Sequence, residues 1–221
     1  GYKTGFYSSP HLARLEERFR INGKTVEEQR FAKAADQVRS VVESMRGEGN
    51  GPTYFEITTA IALVLFAAEQ VDFAIWEVGM GGRLDATNIV TPELAVITGI
   101  SLEHTEHLGP TLGAIAGEKA GIIKEGVPVV CGPLPEEAFR VIAETAAQRH
   151  ARGEAVKKAQ LQLAVRALLA SGFDEVHGGI AHEVGHEQVV RAVIHGQRLV
   201  VLLQHAVVDQ ADLRGQRHGL H

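Results

Sequence analysis

The sequence predicts an α/β fold in which a parallel sheet is flanked by helices, followed by a tail whose pattern defines no clear structure. Three short apolar runs indicate the strands: residues 73–77, 94–98 and 127–131. Each run is apolar on both faces, as in a strand buried between two layers. Because these runs alternate with helical patterns, they are expected to form parallel βαβ units.

Four segments carry helical signals: residues 26–46, 53–69, 111–124 and 135–152. In the first, apolar side chains recur at helical spacing among many charges, which predicts an amphipathic helix. In the second, Thr53 and Glu56 have the spacing of a capping box. The residues that follow this box are apolar nearly all round, so the second helix is expected to be buried.

Composition and charge narrow the class of protein. The chain has 221 residues and a formal net charge of −5, which argues against a nucleic-acid binder because that class normally carries a basic face. The longest apolar stretch, residues 57–68, is shorter than the roughly 20 residues that cross a bilayer. Cys131 is the single cysteine, which excludes an internal disulfide and fits a reducing compartment. We expect a cytoplasmic protein with no membrane partner.

The composition changes near residue 150. Eight of the eleven histidines lie at or beyond His150, whereas Phe173 is the one aromatic residue after position 150. We therefore predict a domain over residues 1–150 and an atypical tail over residues 151–221. Within the tail, the pattern permits helices over residues 159–170 and 180–194 and a strand over residues 199–203.

The first strand run ends in candidate ligand groups. Glu77 is followed by a glycine-rich turn and then by Asp85. In open parallel sheets, ligands bind where the carboxyl ends of the strands meet. The glycines allow backbone N–H groups to approach an anion, and the two carboxylates are hard oxygen ligands suited to Mg²⁺. The alternative is a tight turn with a solvated Asp85 and a capping Thr87.

Two histidines follow the second strand run. His104 and His107 alternate with glutamates just beyond residue 98, level with Glu77 on the predicted neighbouring strand. Such histidines can be metal ligands, and this set is also compatible with zinc. A loop residue or a helix cap is the simpler interpretation of His104.

Lys119 lies on the apolar face of its predicted helix. It comes four residues after Ile115 and three and four residues before Ile122 and Ile123. Burial lowers the pKa of a lysine, and a neutral amine close to a metal ion can be carbamylated into a carboxylate ligand. The alternative is a lysine whose ammonium group reaches the surface.

Several blocks together resemble one family. Their order and spacing are similar to those of folylpolyglutamate and dihydrofolate synthases, members of the Mur ligase superfamily, and they cover about two thirds of the chain. The blocks are SPHL at residues 9–12 with Glu17-Arg18 and Asn22-Gly23, TYFE at residues 53–56, EVG and GRLDATN at residues 77–79 and 82–88, and the segments 104–109 and 111–122.

The resemblance implies a fold, a reaction and ligands. The fold would be a partial Mur ligase ATP-binding domain of the phosphate-loop NTPase type, from an enzyme that is a monomer. ATP would phosphorylate a folate or dihydropteroate carboxylate, and the amine of L-glutamate would then displace phosphate to form an amide. Metal-assisted stabilisation of charge suits acyl phosphate chemistry.

The resemblance also assigns residues. Mg²⁺ would be held by Ser9, Glu77 and His104. Catalytic roles would fall to His104 and to a carbamylated Lys119. The residues expected to line the pterin site are Tyr54, Gly81, Gly82, Asp85 and Asn88.

Three departures from the family pattern affect the expected activity. No glycine-rich loop with Gly-Lys-Ser or Gly-Lys-Thr occurs in the sequence, and that loop holds the ATP phosphates. Glu103 stands where the family usually has aspartate before the histidine. Nothing after about residue 150 resembles the C-terminal domain of the family. We therefore expect a piece that lacks both ends of the enzyme and has impaired or no activity by itself.

Two other functions remain open at this point. A non-catalytic remnant that binds a pterin or a partner chain would explain the missing phosphate loop. A zinc hydrolase would explain His182, Glu183 and His186, which satisfy the HExxH pattern, with His195 or His205 available as a third ligand. That pattern fixes only three positions, and a segment rich in His and Glu can meet it by chance.

Overall fold

A computed structural model describes residues 1–47, 51–151, 153–155, 188–189, 192–194 and 199–205. Within these residues, the strands join in a single mixed sheet. The strands are β1 Thr4–Tyr7, β2 Phe19–Ile21, β3 Lys24–Thr25, β4 Phe73–Val78, β5 Ala95–Ile97, β6 Val129–Cys131, β7 Gly153–Ala155, β8 Gln188–Val189, β9 Ala192–Ile194 and β10 Leu199–His205.

The sheet is parallel over most of its width. Its strand order is β3-β2-β1-β4-β10-β5-β6-β7, and every neighbouring pair from β1 to β7 in that order is parallel. The β1–β2 and β2–β3 pairs are antiparallel, as are the pairs that β8 and β9 make with β10. The predicted parallel sheet is therefore confirmed. Because β1, β4 and β5 run in the same direction, their carboxyl ends lie at one edge.

The four predicted helices are present with shifted ends, and one short helix, α3, was not predicted. The helices are α1 Glu28–Gly47, α2 Tyr54–Ala68, α3 Thr105–Leu108, α4 Leu112–Ala120 and α5 Glu136–Gln148. The capping box is confirmed, since Glu56 N donates to Thr53 Oγ1 at 3.2 Å and Thr53 N donates to Glu56 Oε2 at 2.6 Å. The predicted extension of α4 to residue 124 is wrong. The chain turns at Gly121, where a Cβ atom would collide with Arg83.

The core contains an aromatic part and an aliphatic part. Rings from β1, β2, β4 and α2 pack with centroid separations of 5.4–5.5 Å: Tyr7 contacts Phe19 and Trp76, and Trp76 contacts Phe66. Fully buried isoleucines form the part near β5, α4 and α5: Ile97, Ile115, Ile122, Ile123 and Ile142. This close packing fixes the strand ends from which the candidate site is built.

The tail predictions have mixed outcomes. The predicted strand over residues 199–203 is confirmed as β10, which lies between β4 and β5. The prediction that Glu77 and His104 follow neighbouring strands is therefore wrong, because β10 separates β4 from β5. The predicted helix over residues 180–194 is wrong where the chain is described, because β8 and β9 are strands that pair with β10. The predicted helix over residues 159–170 lies outside the described residues. The domain boundary at residue 150 stays a prediction. Among the described helices, none has the length and apolarity needed to cross a membrane.

Candidate active site at the carboxyl ends of the strands

Ser9 and Glu77 meet at the ends of β1 and β4. These strands are in register, with Tyr7 opposite Trp76, so the residues that follow Tyr7 come alongside Glu77. The backbone N–H of Ser9 donates to Glu77 Oε2 at 2.9 Å. Glu77 is 4% exposed. The structure thus brings together two of the three residues predicted to bind Mg²⁺, as a buried carboxylate next to a serine.

His104 begins the helical turn that follows β5. Its backbone is left-handed (φ 46°, ψ 38°), and its carbonyl oxygen accepts bonds from the N–H groups of His107 and Leu108 at 2.8 and 2.9 Å. Its exposed side chain makes no capping hydrogen bond. The backbone of His104 therefore shapes the turn, and its imidazole is accessible for a ligand.

The zinc interpretation gains no support from the described part of the chain. There, no three His, Cys, Asp or Glu side chains form a group that could hold a metal ion. The set predicted for Mg²⁺ is of a different kind, since it includes the hydroxyl of Ser9. The HExxH residues His182, Glu183 and His186 lie outside the described residues.

Lys119 is buried, as its helical position predicts, and it is paired. It is 1% exposed, and its Nζ lies 2.5 Å from Oε1 of Glu103, which is also buried. The second oxygen of Glu103, Oε2, is buried and has no hydrogen-bond partner. Lys119 and Glu103 thus form a buried ion pair. A buried lysine needs a counter-ion, so a carboxylate partner could be expected from sequence, but only the structure identifies it as Glu103.

Asp85 accepts hydrogen bonds from backbone groups of its own loop, the loop that follows β4. Its Oδ2 accepts a bond from Met80 N at 2.9 Å, and its Oδ1 accepts bonds from Thr87 N at 2.9 Å and Thr87 Oγ1 at 2.5 Å. Burial raises the pKa of the Asp85 carboxyl, against the effect of these hydrogen bonds. Both oxygens are thus used inside the loop. Asp85 is a half-buried cap in this loop, in contrast to the solvated aspartate of the simpler interpretation.

The same loop is bonded to the C-terminal end of α4. Arg83 N donates to the carbonyl of Glu118 at 2.9 Å, and the two side chains form an ion pair at 3.0 Å. The Asn88 amide donates to the carbonyls of Arg83 and Gly121 at 2.9 and 3.2 Å. Asn88, predicted to line the pterin site, thereby fixes the loop against the helix that carries Lys119. Sequence reasoning missed the Arg83–Glu118 pair.

Gly81 and Gly82 are required by close packing. Gly81 has φ +67°, and a Cβ atom there would lie 2.9 Å from Leu108 Cδ2. A Cβ atom at Gly82 would lie 2.7 Å from Ile122 Cγ2 and 3.0 Å from the Glu118 carbonyl oxygen. Both glycines were predicted to line a ligand site. Their observed contacts show that they let the loop approach α3 and α4.

Tyr54, the remaining predicted residue of the pterin site, is the first residue of α2 and is 54% exposed. The guanidinium carbon of Arg18 lies 5.6 Å from the centre of its ring. Arg18 occurs in the recognised ER block, but no role for it was predicted. The structure places it beside the loop that carries Ser9, since Ser8 N donates to the Arg18 carbonyl at 3.0 Å.

Comparison with known proteins assigns this domain to a family. The Mur ligase middle domain matches residues 22–169. The chain belongs to the Mur ligase family, on its folylpolyglutamate and dihydrofolate synthase branch. Among curated relatives, it is 44% identical over 153 residues to the dihydrofolate synthase/folylpolyglutamate synthase of Bacillus subtilis. That alignment covers 68% of this chain and 35% of the relative.

Two solved structures show the same fold. The apo form of the L. casei folylpolyglutamate synthase aligns with a TM-score of 0.67 and 37% identity, covering 71% of this chain and 38% of that one. Escherichia coli FolC in complex with DHPP and ADP aligns with a TM-score of 0.62 and 45% identity, covering 69% and 35%. The chain therefore spans about a third of the length of the relatives it matches.

Proposed function

We propose that this chain is part of an ATP-dependent ligase that joins L-glutamate to a carboxylate of folate or dihydropteroate. The observation that carries the proposal is the group of residues at one sheet edge: the Ser9–Glu77 contact and the exposed imidazole of His104. They occur in a domain of the Mur ligase family. The E. coli relative bound to DHPP and ADP supports the choice of substrates.

The proposed Mg²⁺ site consists of Ser9, Glu77 and His104. The carboxylate of Glu77 is buried and accepts one N–H from Ser9, so it fits a role as a hard, negatively charged ligand. Mg²⁺, when bound, supplies positive charge to the phosphate oxygens. The residues of this chain shield Glu77 from water, and the hydrogen bond from Ser9 N to Glu77 fixes the orientation of the loop that follows Tyr7.

The reaction proceeds through an acyl phosphate. A substrate carboxylate oxygen forms a bond to the γ-phosphorus of ATP while the bond from that phosphorus to ADP breaks. The amine of glutamate then forms a bond to the acyl carbon, releases a proton and displaces inorganic phosphate. We propose that the loop clamped by Asp85 and Asn88, together with Tyr54, forms the wall against which the pterin binds.

Lys119 acts as a carbamate in this proposal. Its ion pair with Glu103 must first open, so that the neutral amine can form an N–C bond to carbon dioxide and lose a proton. The second oxygen of Glu103, Oε2, is buried and has no hydrogen-bond partner among the described residues. Once the ion pair opens, this oxygen is available to accept a hydrogen bond.

The chain by itself is proposed to bind nucleotide poorly, because its sequence has no Gly-Lys-Ser or Gly-Lys-Thr loop. That feature also favours the second candidate function, a non-catalytic remnant that binds a pterin. For the whole enzyme we propose a monomer in the cytoplasm, consistent with the single, buried Cys131.

A thermal-shift titration tests the proposed function. The purified chain is titrated with Mg²⁺-ATP and with dihydropteroate, separately and together, because a ligand that binds the folded state raises its melting temperature. We expect a rise with dihydropteroate and little or none with Mg²⁺-ATP. A rise with Mg²⁺-ATP alone would contradict the proposed loss of nucleotide binding, and no rise with dihydropteroate would contradict the pterin site.

Turnover separates the two candidate functions. A non-catalytic remnant hydrolyses no ATP at any concentration of folate. Hydrolysis that depends on folate would show that the chain retains the ligase chemistry without a phosphate loop. The matched control is Glu77→Gln, which removes the charge of the proposed Mg²⁺ ligand and is expected to abolish such hydrolysis.

A further inference from the structure

Arg18 is a buried cation without an acidic partner. It is the last residue of the 3-10 helix Leu15–Arg18 and is 8% exposed. Among the described residues, no Asp or Glu carboxylate lies within ion-pair distance of its guanidinium. An arginine is always charged in proteins, and a buried charge is normally paired. The positive charge of Arg18 therefore lacks an anion.

The observed contacts of Arg18 are with neutral groups. Its Nε donates to His11 Nδ1 at 2.9 Å, so that nitrogen presents a lone pair and carries no proton. Its guanidinium carbon lies 5.6 Å from the centre of the Tyr54 ring. Its positive charge also opposes the rise that burial causes in the pKa of the Tyr7 hydroxyl. These contacts orient the guanidinium, but none supplies a negative charge.

The acidic residues closest in sequence are used elsewhere. Glu17 accepts bonds from the backbone N–H groups of Leu12, Ala13 and Arg14 at 2.8–3.2 Å. Glu16 pairs with the exposed Arg14. The chain thus places two carboxylates beside Arg18 in sequence and directs both to other partners. The absence of a counter-ion is a feature of how this segment is folded.

We propose that Arg18 is the centre of an oxyanion-binding site, with Tyr54 and His11 at its rim. Tyr54 is exposed and His11 is half-exposed, so a ligand can reach the guanidinium between them. The planar guanidinium binds the two oxygens of a carboxylate or phosphate in a bidentate manner. The site is inferred from the charge and burial of Arg18 and does not rest on the proposed function, although Tyr54 at its rim is also assigned there to the wall of the pterin site.

Small oxyanions test this site in the full chain. Inorganic phosphate and benzoate are titrated separately in thermal-shift measurements, with chloride at matched ionic strength as the reference. In the wild-type chain we expect a rise in melting temperature with at least one of them. The variant Arg18→Met is expected to weaken the apparent affinity by about tenfold or more, the effect of losing one charge-assisted contact.

Two further variants make the result interpretable. Arg14→Met removes one positive charge from an exposed position in the same segment and is expected to leave the oxyanion response unchanged. Arg18→Lys keeps the charge but loses the planar fork, and it is expected to weaken the response in a chain that still carries a cation. It also provides the measurement should Arg18→Met fail to fold.

Each outcome decides the proposal. An equal response in wild type and in the Arg18 variants would overturn it, as would no response of the wild-type chain to either anion. A stronger response to benzoate than to phosphate assigns a carboxylate as the ligand group, and the reverse assigns a phosphate. Since neither probe is a folate or a nucleotide, failure here leaves the outcome of the dihydropteroate titration unaffected.

Discussion

Lys119 and Arg18 are both buried cations near the same edge of the sheet, but their surroundings differ in charge. Lys119 has Glu103 at 2.5 Å, whereas Arg18 has an imidazole, a phenol and an aromatic ring around it. The charge of Lys119 is thus balanced by a carboxylate of the same chain. The second position holds a fixed cation, and no carboxylate of the described residues pairs with it. The difference indicates which of the two charges the fold has balanced and which is left for a ligand.

The largest effect is expected from opening the closed pair. Glu103→Gln leaves the ammonium of Lys119 buried without a counter-ion, which should lower the free energy of unfolding by about 3 kcal/mol or more. Chemical denaturation measures this loss. Glu103→Asp keeps the charge and should lose less.

The control for Glu103→Gln is an ion pair nearer the surface. Glu118→Gln breaks the partly exposed pair with Arg83 and should cost no more than ~1 kcal/mol. If both glutamate substitutions lower the free energy of unfolding by the same small amount, Glu103 does not stabilise buried Lys119. The contrast between Lys119 and Arg18 would then have no effect on stability.

A smaller loss is expected where the loop after β4 packs on α4. Gly82→Ala places a methyl group 2.7 Å from Ile122 Cγ2 and should cost about 1–3 kcal/mol through overpacking. Gly117 lies in the same helix with open space around it, so Gly117→Ala should raise stability by about 0.5–1 kcal/mol. Denaturation curves of the two variants give the comparison, and a neutral Gly82→Ala would show that the loop is not tightly packed.

Asp85 extends the comparison to a half-buried carboxyl group that is held by hydrogen bonds within its loop. Burial raises the pKa of its carboxyl above the ordinary 3.8. A group whose pKa is higher in the folded state stabilises the fold most below its unfolded pKa, and this contribution is lost as pH rises through the folded pKa. The stability advantage of wild type over Asp85→Asn should therefore be larger near pH 3.8 than at neutral pH. Denaturation at both pH values checks this, and an advantage that grows with pH would contradict it.

Sequence pattern predicted the elements that depend on local signals. The apolar runs gave β4, β5 and β6, and Thr53 with Glu56 gave the start of α2. The end of α4 was misplaced because Gly121 is set by contact with Arg83, which is distant in sequence. The strands β8 and β9 were predicted as helix because their apolar spacing also fits a helical period, whereas pairing with β10 determines their conformation.

The site was predictable where the position of a residue in its helix or strand implied which way its side chain faces. It was not predictable where a side chain depends on a partner from a distant segment. Burial of Lys119 followed from helical spacing. The contact of Ser9 with Glu77 did not follow from the pattern, since β1 was not predicted as a strand and only the family resemblance implied a role for Ser9. The partner of Lys119 was not foreseen, because Glu103 was considered only as a replacement for aspartate. Arg18 was not foreseen either, since its neighbours His11 and Tyr54 come from separate segments and arginine is usually exposed.

The smallest effect is expected at the open position. Arg18→Met removes a buried charge that no anion offsets and fills the space with an apolar side chain. Replacement of buried ionic groups by packed apolar ones is often neutral or stabilising, so the free energy of unfolding should change by less than about 1 kcal/mol. Denaturation without added phosphate or carboxylate measures it. A loss as large as that of Glu103→Gln would mean that the contacts of Arg18 with His11, Tyr54 and Tyr7 hold the fold together, and the two buried cations would then be alike.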